Sequence, residues 1–359
     1  MTDKNPAQRP ASTRTQGVPV ANRAAKGEVL LEVDDLHVEF RTKAGVARAV
    51  NGVNYTLRAG ETLAVLGESG SGKSVTAQAV MGILDSPPGK ITGGEVRFRG
   101  KDLLAMKESE RRLYRGEKIS MIFQDSLSAL NPVFPVGAQI AEMFRVHRKM
   151  GKKEATERAI ELMDRVRIPA ARERVNNYPH EFSGGMRQRI MIAMAIALDP
   201  EVLIADEPTT ALDVTVQAQV MELLGELQSE MNMGLILITH DLGVVADVAD
   251  QIAVMYAGRI VEQAPARELY KNPAHPYTER LLASIPRVDQ KGQKLTVIEG
   301  LPPMLTNIPP GCAFNPRCPY AQDICRADPP PPLAQFTPER ASACHFWKET
   351  LDGSQRVAS

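Results

Sequence analysis

A glycine-rich segment that follows a short apolar run carries the clearest chemical signal in the sequence. It reads GESGSGKS and satisfies the pattern GxxxxGK[ST] in full. In such a loop the backbone N–H groups wrap phosphate groups, and the following helix directs its positive N-terminal end at them. We expect Lys73 to neutralise the β and γ phosphates and Ser74 to ligate Mg²⁺. The predicted nucleotide-binding residues are Gly67, Glu68, Ser69, Gly70, Ser71, Gly72, Lys73 and Ser74.

An acidic pair, Asp206 and Glu207, directly follows the apolar run Val202–Ala205. The carboxyl end of a buried strand is where ligands bind in open α/β sheets. We therefore expect Asp206 to hold Mg²⁺, directly or through water, and Glu207 to orient or deprotonate an attacking water. Without the phosphate-binding loop, the same pair would be interpreted as a solvated turn.

The elements that position these residues are strands alternating with helices. Apolar and polar residues alternate over Val29–Phe40, whereas Glu61–Leu66 and Leu235–Thr239 are short apolar runs typical of buried strands. The segment Thr215–Met231 is compatible with a helix. We predict an α/β fold with a mostly parallel core sheet and an N-terminal antiparallel β subdomain.

Changes in composition divide the chain into five segments. Residues 1–27 are polar and predict a disordered tail. Residues 135–175 are charged and amphipathic with helical spacing and predict a separate helical subdomain. The segments 28–134 and 176–260 would form the nucleotide-binding core. The proline-rich and cysteine-containing segment 261–359 is predicted to be a C-terminal extension.

Charge and hydropathy exclude several classes of function. Lys plus Arg and Asp plus Glu both number 43, so no overall field favours nucleic acid as a partner. The most apolar stretch, Ile190–Leu198, is far shorter than the roughly 20 residues that a membrane-spanning helix needs. Met1–Gly27 contains no apolar core segment, so we expect no secretory signal.

A second glycine motif identifies the family. The segment Phe182–Arg189 reads FSGGMRQR and resembles the signature SGGxxQ of ABC ATPases, with Asp206-Glu207-Pro208 at the expected distance. Glycine amides at a helix N-terminus form an anion site. The resemblance, which covers about residues 30–260, implies an ABC-type P-loop NTPase that hydrolyses ATP with Mg²⁺. It also implies that the signature contacts ATP held by a second subunit through Ser183, Gly184, Gly185 and Gln188.

The same resemblance implies roles for further residues. Gln124 is similar to the glutamine that contacts Mg²⁺ and the attacking water, in a loop that also contacts the membrane subunit. His240 is similar to the histidine that contacts the γ-phosphate, and Asp213 to the aspartate that communicates across the dimer. Phe40 is the candidate for stacking on adenine, although a buried strand phenylalanine explains it nearly as well.

The extension resembles that of dipeptide and oligopeptide importer ATPases in the segments HPYT and GCAFNPRCP, which start at His275 and Gly311. This implies uptake of peptides, or alternatively of nickel or another small solute. All four cysteines lie in this extension, and their spacing lacks the paired CxxC of zinc ribbons. Four thiolates suit an iron-sulfur cluster or zinc, and the resemblance favours a 4Fe-4S cluster; unligated thiols stay open. The predicted ligands are Cys312, Cys318, Cys325 and Cys344.

Partners follow from the resemblance. A second, homologous ATPase subunit would complete a heterodimer, and two transmembrane permeases and an extracellular solute-binding protein would complete the importer. The chain would then lie at the cytoplasmic face of the cell membrane. Two alternatives stay open: a soluble ABC ATPase that acts on DNA or ribosomes, and an extension that works as an iron-dependent regulator or redox switch.

Overall fold

The computed structural model describes residues 24–125, 129–210, 212–284 and 298–353. The strands are β1 Val29–Thr42, β2 Gly45–Arg58, β3 Thr62–Leu66, β4 Gly89–Phe98, β5 Lys101–Asp102, β6 Ile119–Ile122, β7 Val202–Asp206, β8 Gly234–Thr239, β9 Gln251–Tyr256, β10 Arg259–Pro265, β11 Ala334–Thr337 and β12 Arg340–Ser342. The α-helices are α1 Lys73–Met81, α2 Glu108–Arg111, α3 Val136–His147, α4 Lys152–Arg165, α5 Ala171–Arg174, α6 Gly184–Ile196, α7 Val214–Met231, α8 Leu242–Val245, α9 Ala266–Lys271, α10 Pro276–Ala283 and α11 Trp347–Asp352.

The strands form two sheets. One has the order β2-β1-β4-β5 and is antiparallel. The other has the order β11-β12-β10-β9-β3-β8-β7-β6, in which β9, β3, β8, β7 and β6 run parallel and the remaining strands pair antiparallel. This arrangement confirms the predicted α/β fold with its mostly parallel core sheet and antiparallel β subdomain.

The central strand β3 is buried along its whole length because both faces of the sheet are covered. Ala64 and Leu66 face a core that also contains residues of α6 and α7. Leu63 and Val65 face a second core that includes α1 and the antiparallel sheet. Alternating side chains of one strand therefore fill two cores, which fixes the end of β3 where the phosphate-binding loop begins.

Helices α3, α4 and α5 lie within the segment for which a helical subdomain is predicted. Helix α3 packs so closely against the C-terminal end of that segment that glycine is required, since a Cβ on Gly137 would lie 2.5 Å from the carbonyl oxygen of Val175. Of the predicted tail, residues 1–23 lie outside the described part, whereas Ala24 accepts a hydrogen bond from Asn232. The division into segments stays a prediction.

The C-terminal extension continues the large sheet. Strand β10 crosses the predicted boundary after residue 260, and β12 pairs with it through Glu262 with Ser342 and Gln263 with Ala341. Within the described residues, no helix is both long and apolar enough to span a bilayer.

Candidate active site

The loop between β3 and α1 requires glycine at two points of close approach. Gly67 has a φ of 153°, and a Cβ there would lie 2.3 Å from the carbonyl oxygen of Met255. Gly72 has a φ of 104°, and its Cβ would lie 2.3 Å from the carbonyl oxygen of Ala49. Both positions combine a backbone conformation that L residues rarely adopt with contact against rigid backbone. The sequence pattern is thus dictated by the shape of the loop.

Lys73 folds back over this loop. Its ammonium group donates hydrogen bonds to the carbonyl oxygens of Gly67 at 2.7 Å and Glu68 at 3.0 Å, and the residue is only 5% exposed. Burial lowers the pKa of Lys73, and the nearby carboxylates, Glu207 first, oppose that shift. The hydroxyl oxygen of Ser71 is buried without a hydrogen-bond partner among the described residues. An amine that lacks a carboxylate hydrogen bond and an orphaned hydroxyl in one loop suit a phosphate group.

Ser74 and Asp206 bring the loop and the end of β7 together. The Ser74 hydroxyl donates a hydrogen bond of 2.9 Å to Oδ1 of Asp206, which is 4% exposed. Burial raises the pKa of Asp206, while the Ser74 hydrogen bond and Lys73 act in the opposite direction. A hydroxyl and a carboxylate are the hard oxygen ligands that Mg²⁺ prefers, alongside water and phosphate oxygens. The residues present therefore fit a magnesium ion.

Glu207, the next residue, holds its carboxylate among three polar side chains. Its Oε2 accepts hydrogen bonds from Gln124 at 3.0 Å and Thr210 at 2.9 Å, and its Oε1 lies 3.3 Å from Nδ1 of His240. The backbone has a φ of 45°, and its N–H donates to the carbonyl of Ile238 on β8. Left-handed backbone in a residue other than glycine persists where the surroundings impose it, which is common at functional sites. The structure brings together Gln124, Glu207 and His240, and their catalytic roles stay predictions.

The signature segment lies at the N-terminus of α6. Ser183 caps this helix by accepting the N–H of Met186, and Asp213 caps α7 by accepting the N–H of Val216. A Cβ on Gly185 would lie 2.5 Å from a methyl group of Val216, so the two helix ends are in contact. In the described part of the chain, no hydrogen bond links the signature to the phosphate-binding loop.

Phe40 is half-buried on β1, where it pairs with Ala47 on β2 and Gly89 on β4. Its side chain packs against the second core. These contacts account for the residue as part of the antiparallel sheet, and stacking on adenine stays a prediction.

Sequence reasoning missed three residues at the site. Thr210 donates a hydrogen bond to Glu207, and Arg317 and Tyr277 both contact Glu68 of the loop. Thr210 lies three residues after Glu207, a spacing that could have suggested a local contact. Arg317 lies 249 positions from Glu68 in the sequence, so no local sequence pattern could have predicted their contact.

The predicted 4Fe-4S cluster is wrong, as is its zinc alternative. Within residues 24–125, 129–210, 212–284 and 298–353, no group of three or more His, Cys, Asp or Glu side chains could hold a metal ion. The four cysteines are free thiols that border one narrow cavity of about 20 Å³, together with aromatic and proline rings. Burial raises the pKa of Cys318 to about 11 and that of Cys344 to about 12, which favours the protonated thiol over the thiolate that metals bind.

The sequence matches two protein families. Residues 50–210 match the ABC transporter family, and residues 261–325 match the family described as oligopeptide/dipeptide transporter, C-terminal region. The chain is 52% identical over 334 residues to the oligopeptide transport ATP-binding protein OppD of Salmonella typhimurium, covering 93% of this chain and 97% of that protein. It is also 52% identical over 298 residues to the dipeptide transport ATP-binding protein DppD of Bacillus subtilis, covering 83% and 89% of the two chains.

Solved structures of ATP-binding cassettes share the fold. A dimeric, post-hydrolysis structure of the cassette MJ0796 bound to ADP and Pi has a TM-score of 0.60 at 25% identity, over 66% of this chain and 99% of that one. The structure of cbiO1 from Clostridium perfringens, part of the transporter complex cbiONQ, has a TM-score of 0.58 at 29% identity. It covers 68% of this chain and 91% of that one.

Proposed function

Because the chain belongs to the ABC transporter family of ATP-binding proteins, we propose that it powers the uptake of di- or oligopeptides through a membrane permease. It is an ATP hydrolase of the ABC type. The observation that carries the proposal is the arrangement of adjacent carboxylates at the end of β7. Asp206 faces Ser74 of the phosphate-binding loop, and Glu207 faces Gln124 and His240.

In this proposal each residue of the nucleotide site has a defined task. The loop and Lys73 bind the phosphates of ATP, and Phe40 stacks on adenine. Ser74, Gln124 and Asp206 would hold Mg²⁺, which would neutralise charge on the phosphates. The buried hydroxyl of Ser71 gains a partner when phosphate fills the loop.

Glu207 orients the attacking water and takes up its proton. Gln124 and Thr210 each donate a hydrogen bond to the carboxylate and so fix its direction. His240 is 62% exposed, so its ring can turn from Glu207 towards a γ-phosphate at the surface of the chain. This exposure suits a site that is completed by a second subunit.

The second subunit would contribute its own signature to this ATP, and this chain would offer Ser183, Gly184, Gly185 and Gln188 in return. Support comes from the capped N-terminus of α6, which presents backbone N–H groups at the surface. Asp213, at the neighbouring end of α7, would relay closure across the dimer. We propose a homologous partner, two permeases, an extracellular solute-binding protein, and a position at the cytoplasmic face of the membrane.

The proposal is tested with the chain assembled with its permease subunits in proteoliposomes. ATP hydrolysis should rise when a peptide-loaded binding protein is added. The Glu207→Gln variant should hydrolyse ATP about 100-fold more slowly or worse, the scale of general acid–base catalysis, and still bind ATP. Glu222→Gln is the matched control, since Glu222 lies in the middle of α7 and forms an exposed ion pair with Arg167.

Normal hydrolysis by Glu207→Gln would contradict the assigned task of that residue. Stimulation by nickel and not by peptides would replace the proposed cargo while leaving the ATPase intact. Stimulation by DNA or ribosomes in the absence of permeases would contradict the transport function itself.

A further inference from the structure

The first half of the phosphate-binding loop is held from outside by the C-terminal extension. The carboxylate of Glu68, the second loop residue, accepts hydrogen bonds of 2.6 and 2.9 Å from the two terminal nitrogens of Arg317. The backbone N–H of Glu68 donates a hydrogen bond of 2.9 Å to the hydroxyl of Tyr277 on α10. The side chain and the backbone of one loop residue are thus both bound to residues beyond the cassette.

Arg317 is itself fixed in place. Its side chain is 5% exposed, and further N–H groups donate to the carbonyl oxygens of Glu299 at 3.1 Å and Ile298 at 3.4 Å and to the hydroxyl of Tyr256 at 3.3 Å. The pair joins this buried guanidinium to a carboxylate whose side chain is 26% exposed, so removal of Glu68 would leave the charge of Arg317 buried and unpaired. The other hydrogen bonds of Arg317 set the position from which it holds Glu68.

An aromatic cluster holds these contacts against the core sheet. The ring of Phe314 lies 5.3 Å from both Tyr256 and Tyr277, and the rings of the two tyrosines lie 4.6 Å apart. Phe314 immediately precedes the short 3₁₀-helix Asn315–Arg317, so the packing of one ring determines where the guanidinium of Arg317 lies.

We propose that Arg317 and Tyr277 are positioning residues for ATP binding, which hold Glu68 so that the loop keeps the shape that receives phosphate. The inference rests on the ATP-hydrolysing function proposed above. Lys73 connects the two, since it donates to the carbonyl oxygens of Gly67 and Glu68 and must leave them to reach a phosphate. The backbone at Glu68 therefore sets both the opening of the loop and the starting point of the lysine.

This arrangement predicts an effect on binding more than on chemistry. Neither Arg317 nor Tyr277 contacts the carboxylate of Glu207, where water is activated in the proposed mechanism. Loss of an interaction that acts equally on bound substrate and transition state raises KM and leaves kcat nearly unchanged. The extension would in this way tune the affinity of the cassette for ATP.

The experiment measures binding of a fluorescent N-methylanthraniloyl-ATP to the purified full-length chain, and KM and kcat for ATP in the assembled transporter. Arg317→Met should weaken binding and raise KM about tenfold, with a smaller change in kcat. Arg317→Lys keeps the charge but lacks the planar fork and should restore binding in part. Arg326→Met is the matched control, because Arg326 forms an exposed ion pair with Asp323 in the same extension and should bind ATP normally.

A double-mutant cycle shows whether Arg317 acts through Glu68. The variant carrying both Glu68→Gln and Arg317→Met should bind ATP no more weakly than Arg317→Met alone, since both changes break one interaction. Additive losses would overturn the inference. A lower melting temperature with unchanged ATP affinity in Arg317→Met would also overturn it, as the contact would then serve stability alone.

Tyr277→Phe provides an independent probe that keeps the buried ring and removes only the hydroxyl. It should weaken ATP binding while the chain folds normally, and this holds even where Arg317→Met fails to fold. Unchanged binding by Tyr277→Phe would overturn the role of Tyr277. Failure of the wild-type chain to bind ATP would instead overturn the proposed function on which the inference rests.

Discussion

Replacing Gly67 with alanine tests whether the shape of the phosphate-binding loop is set by contact with the core sheet. The new Cβ would lie 2.3 Å from the carbonyl oxygen of Met255 and 2.8 Å from Oγ of Ser71, inside the 3.0 Å that real Cβ atoms respect. Met255 belongs to the buried strand β9, which is paired on both sides. The loop, and not the strand, must therefore move.

The magnitude follows from two costs. Holding alanine at a φ of 153° costs about 1–3 kcal/mol. Overpacking against the carbonyl adds about 1–3 kcal/mol. If both costs oppose the binding shape of the loop, the free energy of ATP binding is weakened by at least about 2 kcal/mol and ATP affinity falls by about 30-fold or more.

The assay is titration of Gly67→Ala with a fluorescent ATP analogue, together with thermal melting. Gly225→Ala is the matched control, because Gly225 lies within α7 with open space around its Cβ and should gain about 0.5–1 kcal/mol of helix stability while binding ATP normally. Normal ATP binding by Gly67→Ala would refute the argument that Met255 dictates the loop.

Three further predictions concern stability. Burial lowers the pKa of His275 from 6.5 to about 3, so the unfolded chain binds a proton at a higher pH than the folded chain does. Relative to His275→Asn, the free energy of unfolding of the wild type should therefore fall by up to about 1.4 kcal/mol per pH unit as the pH drops below 6.5. Plots of unfolding free energy against pH that run parallel for the two proteins would contradict this. Asp213→Ala removes the acceptor of the Val216 N–H at the start of α7 and should lower the free energy of unfolding by about 1 kcal/mol, whereas Asp213→Asn should keep this cap. Equal melting temperatures for Asp213→Ala and the wild type would argue against the cap. Phe314→Ala should lower the free energy of unfolding by about 3–5 kcal/mol because the ring is 1% exposed, and an unchanged denaturation midpoint would show that the extension is seated by other contacts.

Local patterns predict the centre of this molecule well. The strand expected at Leu235–Thr239 starts one residue earlier, at Gly234. The helix expected at Thr215–Met231 also starts one residue earlier, at Val214. Both succeed because a buried strand reads as a continuous apolar run and because Asp213 caps the helix next to it. The phosphate-binding loop is also predictable from its local pattern, because close contacts with backbone atoms require glycine at Gly67 and Gly72.

The extension is where local reasoning fails. Four cysteines in one extension, together with the family resemblance, predict a metal centre. Whether four sulfur atoms converge on one ion depends on packing between distant segments, and here they border an apolar cavity. The ion pair of Arg317 with Glu68 joins positions 249 residues apart. Pairing of β12 with β10 is equally remote, and its register follows from the completed fold.

That pairing of β10 with β12 has a consequence for how the protein is made. As the chain leaves the ribosome from its N-terminus, β10 emerges before β12, with residues 266–339 still to be synthesised. At about 5–20 residues per second, the interval lasts on the order of 4–15 seconds. During that time one edge of an otherwise complete sheet offers unpaired N–H and C=O groups to neighbouring nascent chains. A stalled or truncated product would keep this edge permanently, so aggregation during synthesis is the hazard that the last strands of the protein remove.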